Sequence, residues 1–307
     1  MISVKDDISR VSGLSREARL YALKELARRA GVGRDFFQSW TIDFQDQETI
    51  IHLPAGTDKR IHFKNALPQF WKDVLAGRFH TIRASWMHPP PEVLAGLVPD
   101  FVVPFSCVRQ SKQCPLFLAV DEDCVECSVD LPASVLLTLS RFEEMLTTER
   151  DSHGRFAAPM SVAFRDGFLD RPVVDEYGLA LEQALTYLLP TWRPAKRALR
   201  IKLSHDVDDV GLPFSFRSAF RQTFLRHNPL ATLRDVFGQA FGLSPTHLEY
   251  VRRIVLLSLE TGLDCAVYWA ASPPSPWDSG YDPRHPLARQ VISWLHERGV
   301  ETGVHPS

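Results

Sequence analysis

The chain has 307 residues, with 35 basic and 37 acidic side chains and a net charge of −2 when histidines are neutral. Its 45% hydrophobic and 23% charged residues are the composition of a folded globular protein, and the near-neutral balance offers no general attraction to nucleic acid or anionic lipid. Twenty-two prolines are dispersed along the chain, which excludes a collagen-like fibre or a disordered linker.

No stretch approaches the roughly 18 uninterrupted apolar residues that a membrane span needs. The start, Met1-Ile-Ser-Val-Lys-Asp-Asp, lacks the basic-then-apolar order of a secretory signal. Five cysteines, an odd number, suit a reducing compartment better than a disulfide framework. The expectation is a cytoplasmic protein with no membrane span and no nucleic-acid partner.

In chain order, the first periodic segment runs from Ser15 to about Ala30. Ser15 is placed to cap a helix, Glu17 falls in its first turn, Leu20, Leu23 and Leu26 form a stripe, and Gly31 is the stop. Short alternating runs at Thr49–Leu53 and Arg60–Phe63, divided by Pro54-Ala-Gly-Thr-Asp, predict a hairpin with a longer loop. Asp100–Pro104, Leu116–Val120 and Cys124–Val129 add strands. Leu131–Met145 predicts one helix, with Val135, Leu136, Leu139, Phe142 and Met145 at helical spacing. A polar loop follows Thr147, and another helix is predicted near Val174–Leu189. These elements make an α+β domain over residues 1–195. Thr191-Trp-Arg-Pro-Ala-Lys-Arg is the boundary.

Over residues 196–307 the rhythm changes. Leu199–Leu203 predicts a strand ending in Ser204-His-Asp-Val-Asp-Asp, followed by a helical region about Ser215–Phe241. A helix from Ser244-Pro245 carries Leu248, Val251, Ile254, Val255 and Leu259 and stops at Gly262. Cys265–Ala270 predicts a buried strand. A helix from His285-Pro286 carries Leu287, Val291, Ile292 and Leu295, and Val300–Val304 predicts a third strand. Strands alternating with helices give an α/β class with a parallel sheet or barrel, and such folds place their chemistry at the carboxyl ends of the strands.

At the first of those ends stand His205, Asp206, Asp208 and Asp209. Carboxylates crowded together repel unless a cation holds them, although aspartates there could also cap turns. The last strand ends in Glu301-Thr-Gly-Val-His305, and a histidine there could share a metal with Asp206 or Asp208 because neighbouring strand ends converge.

Together these segments resemble the polysaccharide deacetylases, the family 4 carbohydrate esterases. Ser204-His-Asp-Val-Asp208 is similar to the His-Asp-Val-Asp variant of their aspartate motif, and Arg298-Gly-Val-Glu-Thr-Gly-Val-His305 to their Gly-x-His motif. Leu139-Ser-Arg-Phe-Glu-Glu144, Asp151-Ser-His-Gly-Arg-Phe156 and Gly167-Phe-Leu-Asp-Arg-Pro-Val-Val-Asp175 resemble the uncharacterised domain that precedes this variant. The resemblance implies an N-terminal α+β domain followed by the first part of a deacetylase-like (β/α) barrel. It implies a hydrolase using a divalent metal, usually zinc, to remove an acetyl group from a carbohydrate substrate. Asp206 matches the general base and His305 the first metal histidine. Val207 fills the place of the adjacent metal aspartate, which leaves Asp208 or His205 as that ligand.

The family's second metal histidine follows four residues after the first, at position 309, and the chain ends at Ser307. The family barrel also has more strands than the three read here. The expectation is therefore a fragment of a longer protein, or a chain whose open sheet a partner completes. The alternative function is a catalytically silent carbohydrate-binding or assembly module.

Weaker patterns are read as structural. Cys107, Cys114, Cys124 and Cys127 contain one C-x-x-C, but zinc sites usually need two close pairs. Arg217, Arg221 and Arg226 alternate with phenylalanines as the solvated side of a helix would, and Trp269 and Trp277 are read as core aromatics. His52, His62, His80 and His88 share no spacing. The glycine signatures of nucleotide binding and of serine-hydrolase nucleophile elbows are absent from the sequence.

Overall fold

The computed structural model describes residues 13–54, 56–106, 114–196, 198–208, 229–230, 247–270, 284 and 286–305. The chain divides into two compact units, Met1–Arg197 and Ala198–Ser307. Among the described residues no helix is long and apolar enough to cross a membrane.

The first unit is built from α1 (Arg16–Arg29), α2 (Arg34–Gln38), β1 (Thr41–Phe44), β2 (Glu48–His52), β3 (Arg60–Lys64), α3 (Pro68–Leu75), β4 (His80–Ser85) and α4 (Glu92–Leu97). It continues with β5 (Phe101–Ser106), β6 (Cys114–Pro115), β7 (Phe117–Ala119), β8 (Cys124–Cys127), α5 (Leu131–Leu139), α6 (Phe142–Leu146), α7 (Val162–Arg165) and α8 (Val173–Leu188). One sheet has the order β1-β2-β3-β8-β7 and a second the order β5-β4-β6. The predicted hairpin is the antiparallel pair β2–β3, in register at Ile51↔Ile61. Its alternation sends Ile51, Ile61 and Phe63 into a core shared with Leu23 and Leu26 of α1 and Tyr177, Leu181 and Leu185 of α8.

Ser15 caps α1, its Oγ accepting from Ala18 N at 3.2 Å. α1 meets α8 at Gly178, where a Cβ would stand 2.6 Å from the Arg29 carbonyl, so a side chain there would push the two helices apart. Asp130 ties distant pieces together. Its carboxylate accepts from Arg19 Nη1 (3.0 Å), from Ala66 N (2.8 Å) and, as the cap of α5, from Ala133 N (3.0 Å). The Arg19 and Asp130 side chains are only 5% and 4% exposed. A charge buried this deeply is stable only because its oxygens are so fully bonded.

Residues 131–145 are not one helix. Ser140 is extended (φ −97°, ψ 165°), which ends α5 and swings the chain so that buried Phe142 meets Phe105 with ring centres 5.8 Å apart.

The second unit contains β9 (Lys202–Val207), α9 (His247–Glu260), β10 (Asp264–Ala270), α10 (Pro286–His296) and β11 (Glu301–His305). The strands form a parallel sheet in the order β11-β10-β9. The chain is therefore α/β here, as the alternation of elements predicts. Both helices pack on one face: Val207, Cys265, Val267 and Trp269 join Leu248, Val251 and Val255 of α9 and Val291 and Leu295 of α10 in the core.

In the second unit one strand boundary and one buried stripe differ from the sequence expectation. The first strand is not Leu199–Leu203, since Leu199 and Ile201 are exposed and β9 begins at Lys202. Period-two alternation turns Leu203 and Val207 toward the helices, so His205 and Asp206 lie inside the strand rather than beyond it. On α9 the buried stripe is Leu248, Val251, Val255 and Ser258, whereas Ile254 and Leu259 face outward. Cys107, Asp209, the Ser215–Phe241 region apart from residues 229–230, the Ser244-Pro245 helix start, Trp277 and His285 lie outside the described residues.

Candidate functional site

The face of the three-stranded sheet opposite α9 and α10 is set by alternation and register. Ser204 and Asp206 of β9, Tyr268 and Ala270 of β10, and Glu301, Gly303 and His305 of β11 share it, because Asp206 and Gly303 both pair with Tyr268 and His305 pairs with Ala270.

At the carboxyl end of this face His305 Nε2 stands 3.5 Å from Asp206 Oδ2. The two strands that carry them are not neighbours. They lie about 10 Å apart, twice the inter-strand spacing, and the pair reaches across β10. Residue 270 is alanine, small enough to leave room for that crossing. Both side chains remain accessible, 38% exposed for His305 and 50% for Asp206.

A second bridge crosses β10 at the amino end, where Lys202 pairs with Glu301. Tyr268 OH donates to Glu301 Oε1 at 3.1 Å. The bonds from Lys202 and then Tyr268 hold the Glu301 carboxyl below the usual carboxylate range. Between the bridges the Tyr268 ring lies against Gly303, where a Cβ would come within 2.7 Å of it. The glycine of the Gly-x-His segment is the residue that admits this ring.

His205 is not part of this constellation. It points to the helix side, where its Nε2 lies 3.0 Å from Ser258 Oγ, and Ser258 Oγ donates to Ile254 O at 2.9 Å. A hydroxyl has one proton to give, so Nε2 of His205 is the donor in that contact. Asp208 is exposed just past the end of β9. The structure therefore brings together Asp206 and His305, keeps Asp208 near the strand end and turns His205 away. Ser258, which holds His205 on the helix side, and Tyr268, which bonds Glu301 and packs on Gly303, carry no motif and were not singled out by the sequence.

In kind, a carboxylate beside an imidazole suits a divalent ion such as zinc. In number it falls short. Catalytic zinc is usually held by three protein donors, and among the described residues no three His, Cys, Asp or Glu side chains converge. The cysteines offer no alternative. Among the described residues Cys114, Cys124, Cys127 and Cys265 form no disulfide, and burial pushes the Cys127 thiol up to about 12, far from the thiolate a metal needs. Trp269 is buried among the helices rather than presented as a sugar platform.

A family model described as a family of unknown function (DUF7033) matches residues 86–190. No curated protein and no solved structure matches the chain. The matched span includes the segments 139–144, 151–156 and 167–175, all of them in the first unit.

Proposed function

We propose that the second unit carries part of a metal-dependent hydrolytic centre of the polysaccharide deacetylase type, acting on an acetyl group of a carbohydrate. The observation that carries this reading is the meeting of Asp206 and His305 across β10, at the carboxyl end of a parallel sheet and on the face turned away from α9 and α10. In a (β/α) barrel that face is the interior, and its carboxyl end is where chemistry is placed.

Asp206 is the general base. Its accessible carboxylate accepts a proton from a water positioned against the substrate carbonyl, and His305 beside it keeps that carboxylate oriented. A divalent ion, when bound, supplies Lewis-acid polarisation of the acetyl carbonyl. His305 and Asp208 are the ligands that this chain offers it, and a further donor has to come from outside the described residues. So does the cover for the open strand edges, whether from more of this chain or from a partner.

The donor count favours one second reading, a catalytically silent carbohydrate-binding or assembly module that keeps the sheet without the metal. Zinc titration with an N-acetylated oligosaccharide present separates the two. The enzyme reading expects zinc binding that an Asp208→Ala/His305→Ala variant loses. It also expects Asp206→Asn to retain zinc while deacetylation falls by roughly 10²–10⁴-fold. Saccharide binding indifferent to chelator, with no zinc uptake, establishes the module instead, and an active Asp206→Asn protein removes that residue from the base role.

A further inference from the structure

The first unit holds a cavity of about 140 Å³ between the last residues of β5 and the end of α5. Phe105, Phe156 and Phe168 line it, and among its charged lining groups are Glu143, Glu144 and Arg141. Arg141 and Glu144 are paired with each other. Glu143 forms no ion pair among the described residues. It accepts one hydrogen bond, from Val162 N at 2.7 Å, and burial pushes its carboxyl above the usual carboxylate range. The three segments that resemble the uncharacterised domain all contribute, through Arg141, Glu143 and Glu144 of the first, Phe156 of the second and Phe168 of the third.

The backbone is strained at the same place. Phe105 has φ +63°, a conformation unfavourable for a residue with a Cβ, and its ring is fixed against Phe79 and Phe142 with centres 5.0 and 5.8 Å away. Strain of this kind persists where surroundings over-determine it, and it gathers at binding sites.

We propose that this cavity binds a small organic ammonium ion, its apolar part among the phenylalanines and its cationic head against Glu143. The size is right, since a cavity of about 150 Å³ accepts a benzene-sized molecule. The charge is right as well: Glu143 feels the charge of Arg165 but is ion-paired with no cation among the described residues, so its half-buried carboxylate gains from a cation in contact with it, and aromatic walls attract cations but not anions. The proposal does not depend on the reading of the second unit.

Calorimetric titration of the whole chain with benzylammonium, and with benzyl alcohol as its uncharged analogue, tests it. Benzylammonium binds the native protein. Glu143→Gln keeps an oxygen for Val162 N and weakens benzylammonium by roughly tenfold or more, while benzyl alcohol binds both proteins alike. Ala163→Leu, which fills the cavity and leaves Glu143 in place, abolishes binding of both. Failure of benzylammonium to bind, or equal affinity for the native and Glu143→Gln proteins, overturns the assignment. So does undiminished binding by Ala163→Leu, which remains informative if Glu143→Gln does not fold.

Discussion

Gly303 and Tyr268 are one device made of two residues. The ring fits because position 303 has no side chain, so Gly303→Ala should destabilise the chain by about 1–3 kcal/mol through overpacking. In a Tyr268→Ala background the same change should cost almost nothing. Urea denaturation of the four proteins of this cycle measures the coupling, and additive losses would break the assignment. Glu143 invites a pH experiment. Because burial raises its carboxyl in the folded state, its ionisation opposes folding at neutral pH. Glu143→Gln should therefore be the more stable protein at pH 7, with the difference shrinking as pH falls through the raised value toward the ordinary one. Arg165 lowers that carboxyl and Asp166 raises it, so the same titration repeated in an Asp166→Asn background should show a smaller difference. At this scale the sequence revealed residue types but not their directions. Asp206 and His305 were legible because their motifs are local. His205 was grouped with them because it is adjacent to Asp206, and adjacency within a strand means opposite faces. Ser258, which decides where His205 points, is one serine on a helix and gives no signal at all.

Elements were legible where periodicity and caps agreed. α1 combines a serine cap, a leucine stripe and a glycine stop, and it forms where the pattern puts it. The 131–145 segment misled because its apolar spacing runs unbroken through Ser140, while the turn there is imposed by the place waiting for Phe142 beside Phe105. β9 was read too early because Leu199 and Ile201 look like core residues, although only Leu203 and Val207 face the helices. The start of α5 carries a prediction of its own. Asp130→Ala removes the cap and strands a buried guanidinium, and should cost about 3–5 kcal/mol. Asp130→Asn, which keeps an oxygen for Ala133 N, should cost less. Denaturation midpoints with unchanged slopes would measure both, and equal losses would mean that the cap contributes nothing.

At the level of the whole molecule, the alternation of strands and helices after residue 198 was enough to read a parallel α/β unit. The one-sided placement of α9 and α10 was not legible, because it depends on which strand neighbours which. That placement leaves a polar face with two bridges crossing its middle strand, so the proposed centre stands on the register of three strands at once. Slippage of β11 by a single residue would carry His305 to the helix side and part it from Asp206.

The Asp130 hub has a bearing on synthesis. Its partners are Arg19, 111 residues earlier, and Ala66, 64 residues earlier. A nascent chain emerging from the ribosome therefore displays α1 and the β2–β3 hairpin long before the carboxylate that fastens them exists outside the tunnel. Until then Arg19 has no interior counter-charge, and early burial of α1 is discouraged. Closing the unit around α1 is therefore favourable only once residue 130 is present to pair with Arg19, a contact between segments far apart in sequence.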